Sequence, residues 1–241
     1  MRVVAIVQAR TKSSRLPYKI FKGIYGQPML WHVFNRLDEC KYLTDRVLAI
    51  PDNQENDVLA QLAKLINVQY FRGSENNVLY RYYGTALKFQ ADVIVRVTSD
   101  CPLLDPQVTD YAIKTFLNSD YDYVYADTRS GLPRGCDTEV FSFNVLENAY
   151  LNASQEYEME HVTPYIYQSG KFKIQSVEVP DNLKRTYRLC VDTEQDLELV
   201  REIYKRLYRG NVFHVGDIIN LLDGHPELVK INAEVKQKVV C

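Results

Sequence analysis

The chain has 241 residues, of which 46% are hydrophobic and 25% are charged, and its net charge is −2 at neutral pH. A chain of this length and composition can bury a substantial core and is ordinary for a folded globular protein. The nearly balanced charge gives no overall reason to expect nucleic-acid binding, and no apolar run approaches the ~20 residues that a membrane-spanning helix needs.

The first element is a short apolar run at residues 1–7, rich in β-branched side chains, which predicts a buried parallel strand. The loop after it is basic and contains no acidic residue, its cations being Arg10, Lys12, Arg15, Lys19 and Lys22. Ligands of open α/β sheets bind at the carboxyl ends of the strands, and arginine and lysine are the side chains that hold phosphate oxygens. The loop is therefore predicted to bind a polyphosphate; the alternative is a basic loop that is merely solvated.

A helix completes the unit that begins with the first strand, and three further strand–helix units follow. The predicted strands lie at 45–51, 68–71 and 92–97, and the predicted helices at 29–37, 55–65, 76–89 and 106–117. This alternation favours a parallel sheet wound by right-handed crossovers. The GxxxxGK[ST] phosphate loop and the GxGxxG dinucleotide fingerprint are both absent from the sequence, which argues against those two nucleotide-binding classes.

The pattern becomes less regular after residue 118. Strands are predicted at 121–126, 137–143, 171–179 and 188–191, and helices at 144–153, 156–168, 193–208 and from 215 onward, with a break at 224–226. No linker rich in proline, glycine or serine divides the chain. We therefore expect one domain over residues 1–241, with residues 120–185 as a less regular, β-rich insert.

Two aspartates follow predicted strands in the same way. Asp100 comes directly after the fourth strand, and Asp192 follows the short strand at 188–191. Aspartate before a helix is a preferred N-cap, and the local sequence at Asp192 favours that interpretation. The helix after Asp100 begins later, at Pro106, so a cap explains Asp100 less well. Because Mg²⁺ takes one or two carboxylates and completes its shell with phosphate and water, the pair and the basic loop together predict a nucleotidyl-transfer site.

The sequence resembles the CMP-sugar synthetases, and above all their relatives in the spore-coat polysaccharide biosynthesis protein F family. The matching motifs run in order along most of the chain. They are Gln8-Ala9-Arg10, Ser13, Arg15-Leu16-Pro17 and Lys19; Arg72-Gly73-Ser74; Arg96-Val97-Thr98 with Asp100; Arg134-Gly135 with Asp137 and Glu139; Glu160-His161; and Arg188 with Asp192.

The resemblance implies an α/β, Rossmann-like nucleotidyltransferase fold of the nucleotide-diphospho-sugar transferase type, with a mostly parallel sheet. It implies transfer of CMP from CTP to an acidic or modified sugar with release of pyrophosphate, in surface polysaccharide biosynthesis. It also implies Mg²⁺ as cofactor and a homodimer formed through the insert. The identity of the sugar is not implied, and a preference for cytosine over other bases does not follow from the residues themselves.

The resemblance also assigns roles to the matched positions. The catalytic cations are Arg10, Arg15 and Lys19, and the metal ligands are Asp100 and Asp192. The nucleotide contacts are Gln8, Ala9, Ser13, Arg72, Gly73, Ser74 and Arg96. The sugar-side residues are Arg134, Asp137, Glu139 and His161.

The sequence departs from the family pattern at Lys12 and Tyr18, where the family usually has glycine. Because glycine lets the backbone approach a phosphate closely, these two positions bear on which triphosphate and acceptor fit.

The sequence is also compatible with two other functions. Asp120-Tyr-Asp122 matches the Asp-x-Asp metal motif of glycosyltransferases that use nucleotide sugars, although a turn explains it equally well. A catalytically silent nucleotide-binding subunit is the other alternative. The five scattered cysteines and the absence of a signal-peptide pattern predict a reducing, cytoplasmic environment.

Overall fold

The computed structural model describes residues 1–237. Its strands are β1 (Val3–Gln8), β2 (Gly23–Ile24), β3 (Gln27–Pro28), β4 (Asp45–Pro51), β5 (Gln69–Gly73), β6 (Val93–Thr98), β7 (Tyr123–Ala126), β8 (Thr138–Ser142) and β9 (Ile174–Ser176). Its α-helices are α1 (Met29–Leu37), α2 (Asp57–Leu65), α3 (Val78–Lys88), α4 (Pro106–Leu117), α5 (Phe143–Asn152), α6 (Glu156–His161), α7 (Pro164–Gln168), α8 (Glu194–Leu207), α9 (Val215–Gly224) and α10 (Pro226–Val229).

Seven of these strands form one sheet in the order β5-β4-β1-β6-β8-β7-β9. β1 pairs in parallel with β4 and β6, and β4 pairs in parallel with β5, which confirms the predicted parallel sheet. β8 is antiparallel to both β6 and β7, and β9 is parallel to β7. The strands of the second half therefore extend the main sheet, which is a nucleotidyltransferase-like α/β fold.

Both faces of the sheet are buried, as the continuous apolar sequence of β1 requires. Val3, Ala5 and Val7 of β1 contribute to a core that includes side chains of α1, α2, α4, α8 and α9. Val4 and Ile6 contribute to a second core, formed with α3 and α5. Helix α1, which follows β1, and helix α3, which precedes β6, thus lie on opposite faces of the sheet, although β1 and β6 are neighbouring strands. A crevice forms where such a switch occurs, outside the carboxyl ends of the two strands.

Three predicted elements of the second half differ in the structure. The strand at 171–179 is reduced to β9, and 188–191 is not a strand but makes one parallel bridge, between Arg188 and Arg134. The helix predicted over 156–168 is broken into α6 and α7, because Val162 adopts a φ of 72° and Pro164, at the first position of α7, has no N–H to continue the hydrogen bonds of α6.

Two further features concern the cysteines and the lengths of the helices. Cys40, Cys101, Cys136 and Cys190 are buried free thiols, and Cys241 lies outside the described residues. Within residues 1–237, every helix is too short or too polar to cross a membrane.

Candidate active site

The basic loop after β1 is fixed by its own backbone and by buried side chains. The Asn56 side chain accepts hydrogen bonds from the Thr11 N–H (2.9 Å) and the Thr11 hydroxyl (3.1 Å). Leu16 and Ile20 are inserted into the first core. Tyr18 takes a left-handed conformation with a φ of 55°, after which a short 3₁₀ helix begins at Lys19. The loop therefore has a fixed conformation, and four of its five cations, Arg10, Lys12, Arg15 and Lys19, line a cleft at the carboxyl ends of β1 and β6.

Lys19 lies at the centre of the site. Its Nζ donates to Asp100 Oδ2 at 2.9 Å, to Asp192 Oδ1 at 2.9 Å and to the Val191 carbonyl at 2.8 Å. The side chain is only 12% exposed. Burial by itself lowers the pKa of Lys19, but the two carboxylates outweigh burial and the pKa rises above its usual range. Lys19 is therefore a permanent cation held between the two predicted metal ligands.

Asp192 is joined to three cations and does not cap a helix. Besides the bond from Lys19 to Oδ1, its Oδ2 forms a salt bridge with Arg15 Nη2 at 2.8 Å and accepts a hydrogen bond from Arg188 Nη2 at 2.8 Å. The N-cap of α8 is Thr193, whose side chain accepts from the N–H of Asp196. The local interpretation of Asp192 as a cap is therefore wrong, because the neighbouring threonine takes that position and leaves the carboxylate free to face the loop.

Asp100 does not cap a helix either, because the N-cap of α4 is Asp105. Burial tends to raise the pKa of Asp100, but the Lys19 ammonium and a hydrogen bond with Thr98 more than offset it, and the pKa falls to about 2. Asp100 is therefore ionised across the physiological range, as a metal ligand must be.

The polypeptide around Asp192 is anchored by a fully buried carboxylate, Asp196. It accepts from Arg188 Nε at 2.9 Å, from Asn232 Nδ2 at 2.9 Å and from the backbone N–H groups of Asp192 and Thr193, both at 3.0 Å. Sequence reasoning did not single out Arg188 or Asp196 as site residues, although both stand close to Asp192 in the chain.

These side chains border a cleft of about 350 Å³ at the carboxyl ends of β1 and β6, which we call the strand-end cleft. Nine of the predicted site residues line it: Gln8, Ala9, Arg10, Ser13, Arg15, Lys19, Asp100, His161 and Asp192. Arg81, Glu160 and Gln237 also line it and were not predicted. The position of Arg81 on the helix after the Arg72-Gly73-Ser74 turn was a signal that could have found it; Gln237 has no such signal.

The structure does not bring the predicted Arg72-Gly73-Ser74 group into the cleft. Arg72 pairs with Asp57 at 2.6 Å and with Asp52 at 3.1 Å on the outside of the sheet. A Cβ on Gly73 would lie 2.9 Å from the Phe71 ring, so this glycine permits close packing beneath α3.

Ser74 has a local role as well, because its hydroxyl accepts from the Asn77 N–H at 3.0 Å in the turn before α3. The group thus stabilises the β5–α3 connection, and the base contacts predicted for it do not follow from its position.

Four other predicted residues also lie outside the cleft lining. Arg96 on β6 forms a salt bridge with Glu139 on β8, and Tyr123 and Thr163 both donate to the same carboxylate. Cross-strand pairing therefore already satisfies the Arg96 and Glu139 charges.

Arg134 and Asp137 occupy the β7–β8 connection. The Arg134 backbone pairs with Tyr187 and Leu189, and Asp137 accepts from the Gly135 N–H at 3.0 Å. Burial raises the pKa of Asp137 to about 6.

The donor set at Asp100 and Asp192 fits a hard divalent cation. Their carboxylate oxygens both lie 2.9 Å from one cation, the Lys19 ammonium, so they converge on a single point. No group of three or more acidic, histidine or cysteine side chains with metal-binding geometry occurs in residues 1–237. Two carboxylates are nonetheless sufficient for Mg²⁺ that also binds phosphate and water.

The motifs, the fold and this site agree with comparison to known proteins. A family model described as cytidylyltransferase matches residues 4–219. The chain belongs to the cytidylyltransferase family. It is therefore a nucleotidyltransferase, as the sequence predicted.

Two relatives of the cytidylyltransferase cover nearly the whole chain. An uncharacterized protein of Methanocaldococcus jannaschii is 37% identical over 240 residues, which covers 99% of this chain and 97% of that protein. The spore coat polysaccharide biosynthesis protein SpsF of Bacillus subtilis is 29% identical over 232 residues and 93% of this chain, 95% of its own length.

Solved structures agree with the fold. A cytidylyltransferase from Leptospira borgpetersenii superposes with a TM-score of 0.90 at 28% identity, over 99% of both chains. A CMP-2-keto-3-deoxy-manno-octonic acid synthetase complexed with CTP has a TM-score of 0.66 at 17% identity, over 86% of this chain and 99% of that one. A Mycobacterium tuberculosis protein complexed with manganese has a TM-score of 0.60 at 14% identity, over 84% of this chain and 99% of that one. The last two show a shared fold only.

Proposed function

We propose that this cytidylyltransferase joins CMP from CTP to a hydroxyl group of a small acidic or modified sugar and releases pyrophosphate. The observation that carries the proposal is the convergence of Arg15 and Lys19 on Asp100 and Asp192 in one cleft. Two cations and two carboxylates, brought together in a cleft at the carboxyl ends of the parallel strands β1 and β6, suit a metal-bearing triphosphate. One distant structural relative, a CMP-2-keto-3-deoxy-manno-octonic acid synthetase complexed with CTP, supports the choice of nucleotide and of sugar class.

In this reaction the sugar oxygen attacks the α-phosphorus, the bond from that phosphorus to the β-phosphate oxygen breaks, and the hydroxyl loses its proton. Catalysis of phosphoryl transfer depends mostly on positioning and electrostatic stabilisation. Arg10, Ser13, Arg15 and Lys19 would bind the triphosphate and stabilise the charge that develops on pyrophosphate. This mechanism requires no nucleophilic side chain from the enzyme.

Asp100 and Asp192 would hold the metal, which we propose to be Mg²⁺. When bound, a divalent cation neutralises phosphate charge and polarises the reacting phosphoryl group. Lys19 pairs with both carboxylates in the metal-free structure, so its ammonium would have to leave them for both to hold a metal. It would then be free to contact a phosphate oxygen.

We place the sugar beside α6, where His161 and Glu160 line the cleft. Burial lowers the pKa of His161, so it would meet the sugar as a neutral hydrogen-bonding group at physiological pH. Sugar contacts by Arg134, Asp137 and Glu139 stay predictions, and they require the β7–β8 connection to present these side chains to the acceptor.

The rival glycosyltransferase motif has another explanation in the fold. Asp120 is largely exposed and pairs with Lys173, and the Asp122 carboxylate accepts the backbone N–H of the same lysine at 2.9 Å. Both aspartates precede β7 and neither lines the strand-end cleft. They connect β7 to β9, which is sufficient reason for an Asp-x-Asp pattern at this turn.

The proposed function is tested by pyrophosphate release with a panel of nucleotides, each with Mg²⁺ and a panel of sugars. We expect release from CTP with at least one acidic or modified sugar. Asp100→Asn should lower the rate at least a hundredfold, whereas Asp120→Asn, a matched substitution outside the cleft, should leave it unchanged. Transfer from a UDP- or GDP-sugar that depends on Asp120, or binding of CTP without any turnover, would refute the proposal.

We further propose a cytoplasmic homodimer that acts in surface polysaccharide biosynthesis, as the SpsF name suggests for its relative. Leu151 on α5 is 71% exposed and lies in the predicted dimerisation segment, 120–185. Leu151→Lys should shift the protein toward monomer in analytical ultracentrifugation. An unchanged sedimentation coefficient would remove α5 from the interface.

A further inference from the structure

The last described segment of the chain, residues 230–237, follows α10 and lies against the strand-end cleft; we call it the C-terminal strap. Its inner end is anchored by Asn232, which is 5% exposed. The Asn232 amide donates to the Arg188 carbonyl at 3.0 Å and to Asp196 Oδ1 at 2.9 Å. At its outer end the strap reaches Gln237, which lines the cleft. The strap is therefore fixed at one end and meets the cleft at the other.

The strap contacts two arginines that flank the proposed metal ligand Asp192. Arg15 Nη2 and Arg188 Nη2 both lie 2.8 Å from the same atom, Asp192 Oδ2. The other amino group of each arginine reaches the strap. Arg15 Nη1 donates to the Lys236 carbonyl at 3.3 Å, and Arg188 Nη1 donates to Gln237 Oε1 at 2.5 Å. Two consecutive strap residues thus hold one donor group of each arginine.

Gln237 separates Arg188 from the cleft. Gln237 lines the cleft and Arg188 does not, although the two side chains are hydrogen-bonded. The Arg188 side chain is only 11% exposed, and its Nε and Nη2 groups are fixed by the carboxylates of Asp196 and Asp192. Lys236 and Gln237, in contrast, are exposed residues. The outer end of the strap can therefore move away while the arginine stays in place.

The strap oxygens bind donors that suit phosphate oxygens. Carbonyl and amide oxygens are neutral acceptors, whereas hydrogen bonds from guanidinium to charged phosphate oxygens are roughly twice as strong as neutral ones. Around Asp192 three cations pair with three carboxylates: Lys19, Arg15 and Arg188 with Asp100, Asp192 and Asp196. A divalent cation adds two positive charges to this balanced group, and phosphate oxygens can neutralise them. A metal-bearing triphosphate is therefore a better partner for the arginines than the strap is.

We propose that Arg188 binds the terminal phosphates of CTP, and that the C-terminal strap holds its donor group until the triphosphate replaces the strap. The inference rests on the proposed function, because it takes a nucleoside triphosphate as the ligand. On binding, Arg188 Nη1 exchanges Gln237 Oε1 for a phosphate oxygen. Arg15 Nη1 likewise gives up the Lys236 carbonyl. When the terminal phosphates depart as pyrophosphate, the strap competes with them for the same donors, which favours release of this product.

Calorimetric titration of inorganic tripolyphosphate and of CMP, with Mg²⁺ present, tests the competition. CMP is the comparison ligand because it lacks the terminal phosphates. Gln237→Ala removes the acceptor on Arg188 without changing the net charge, so it should tighten tripolyphosphate binding about three- to tenfold and leave CMP binding unchanged. Gln61→Ala, at an exposed position of α2, is the control and should alter neither affinity. Weaker or unchanged tripolyphosphate binding by Gln237→Ala would overturn the proposal.

The part played by Arg188 is tested by a second substitution. Arg188→Lys keeps a positive charge beside Asp196, but a single ammonium cannot contact two carboxylates and a phosphate as the guanidinium does. In the double variant the gain from Gln237→Ala should vanish, because that gain acts through Arg188. The ratio of the tripolyphosphate and CMP dissociation constants, measured on one preparation, does not depend on the folded fraction, so partial misfolding cannot imitate this result. A full gain in the double variant would refute the role of Arg188.

Displacement of the strap has a direct readout in trypsin cleavage of the Lys236–Gln237 bond, followed by mass spectrometry. Cleavage requires the strap to leave the cleft, so the rate follows the population of released strap. Tripolyphosphate with Mg²⁺ should raise this rate about threefold or more, and CMP should leave it unchanged. A synthetic peptide of residues 230–241 in the same tube controls for effects on trypsin itself. Slower cleavage with tripolyphosphate would show that the strap closes over the ligand, and the proposal would fail.

Failure of this inference is distinguishable from failure of the proposed function. If the wild type binds neither CTP nor tripolyphosphate, both fail. If it releases pyrophosphate from CTP with a sugar, while Gln237→Ala keeps the wild-type affinity and the trypsin rate does not change, the inference alone fails.

Discussion

At the scale of single residues, the Lys19 ammonium lies between two carboxylates and reduces the repulsion between them. Asp100 and Asp192 face the same point, and like charges this close repel unless a cation lies between them. Lys19 supplies that cation and, in our account, gives the position up to Mg²⁺. Its three hydrogen bonds thus stabilise the metal-free protein, and its charge lowers the pKa of Asp100.

The exchange of Lys19 for a metal can be measured without catalysis. Lys19→Met should lower the free energy of unfolding in EDTA by about 2–4 kcal/mol, because a partly buried carboxylate pair loses its shared cation. Added Mg²⁺ should then raise the melting temperature of this variant more than that of the wild type. Differential scanning calorimetry measures both effects. Lys22→Met, which removes a surface pair with Glu194, is the control and should change stability by less than about 1 kcal/mol. Equal Mg²⁺ shifts in Lys19→Met and wild type would contradict the exchange.

Asp137 gives a prediction about pH. Burial raises the pKa of Asp137 to about 6, above its value of about 3.9 in an unfolded chain. The folded protein therefore holds this proton more tightly, and the resulting stabilisation is complete below about pH 4 and is lost as the pH rises through 6. Asp137→Asn, which resembles the protonated form, should be more stable than the wild type by about 1–3 kcal/mol at pH 7.5.

The advantage of Asp137→Asn should vanish near pH 4, as measured by urea unfolding across this range. A constant difference at all pH values would show that the aspartate does not titrate with folding. If Asp137 also contacts the sugar, the stabilised variant should have a higher KM for the sugar and an unchanged dissociation constant for CTP.

At the scale of elements, the amino-terminal turn of α8 positions Asp192, the proposed metal ligand. Thr193 caps the helix, and Asp196 accepts the Asp192 and Thr193 N–H groups while it pairs with Arg188. The Asp192 carboxylate is thereby directed toward Arg15 and Lys19. The same buried carboxylate binds Asn232, so the segment after α10 also supports the cleft.

Asp196→Ala should therefore lower the free energy of unfolding by about 3–5 kcal/mol, since it removes one of the two carboxylates that pair with Arg188 and leaves the N–H groups of Asp192 and Thr193 without their acceptor. Any folded fraction should bind CTP weakly, because Asp192 loses its orientation. Glu198→Ala, at an exposed position of the same helix, should change stability by less than about 0.5 kcal/mol. Equal denaturation midpoints for the two variants would show that Asp196 does not anchor the site.

Local signals explain which elements were predictable. The start of α4 follows from Asp105 as N-cap and Pro106 at its first position, and both are readable in the sequence. The 188–191 segment was predicted as a strand, yet it has only a single bridge to Arg134. Its apolar residues are buried by tertiary packing and not by pairing with neighbouring strands. The sequence pattern does not distinguish these two kinds of burial.

At the scale of the whole molecule, the site joins the basic loop after β1, the end of β6 and the start of α8. The parallel order of β1 and β6 made the approach of the basic loop and Asp100 predictable, because both follow strands that end at one edge of the sheet. The outward turn of Arg72, the Arg96–Glu139 pair and the contact of Gln237 with Arg188 depend on which side chains meet in three dimensions. No single segment of the chain determines such contacts.

The central claim is that Asp100 and Asp192 hold the metal of a bound CTP in place of Lys19. Anomalous diffraction from crystals of the protein with CTP and Mn²⁺ tests it most directly. We predict one manganese peak at coordination distance, about 2.0–2.3 Å, from both carboxylates, with Lys19 Nζ displaced toward the phosphates. A peak elsewhere in the molecule, or CTP bound while Lys19 still lies between the two aspartates, would contradict the account.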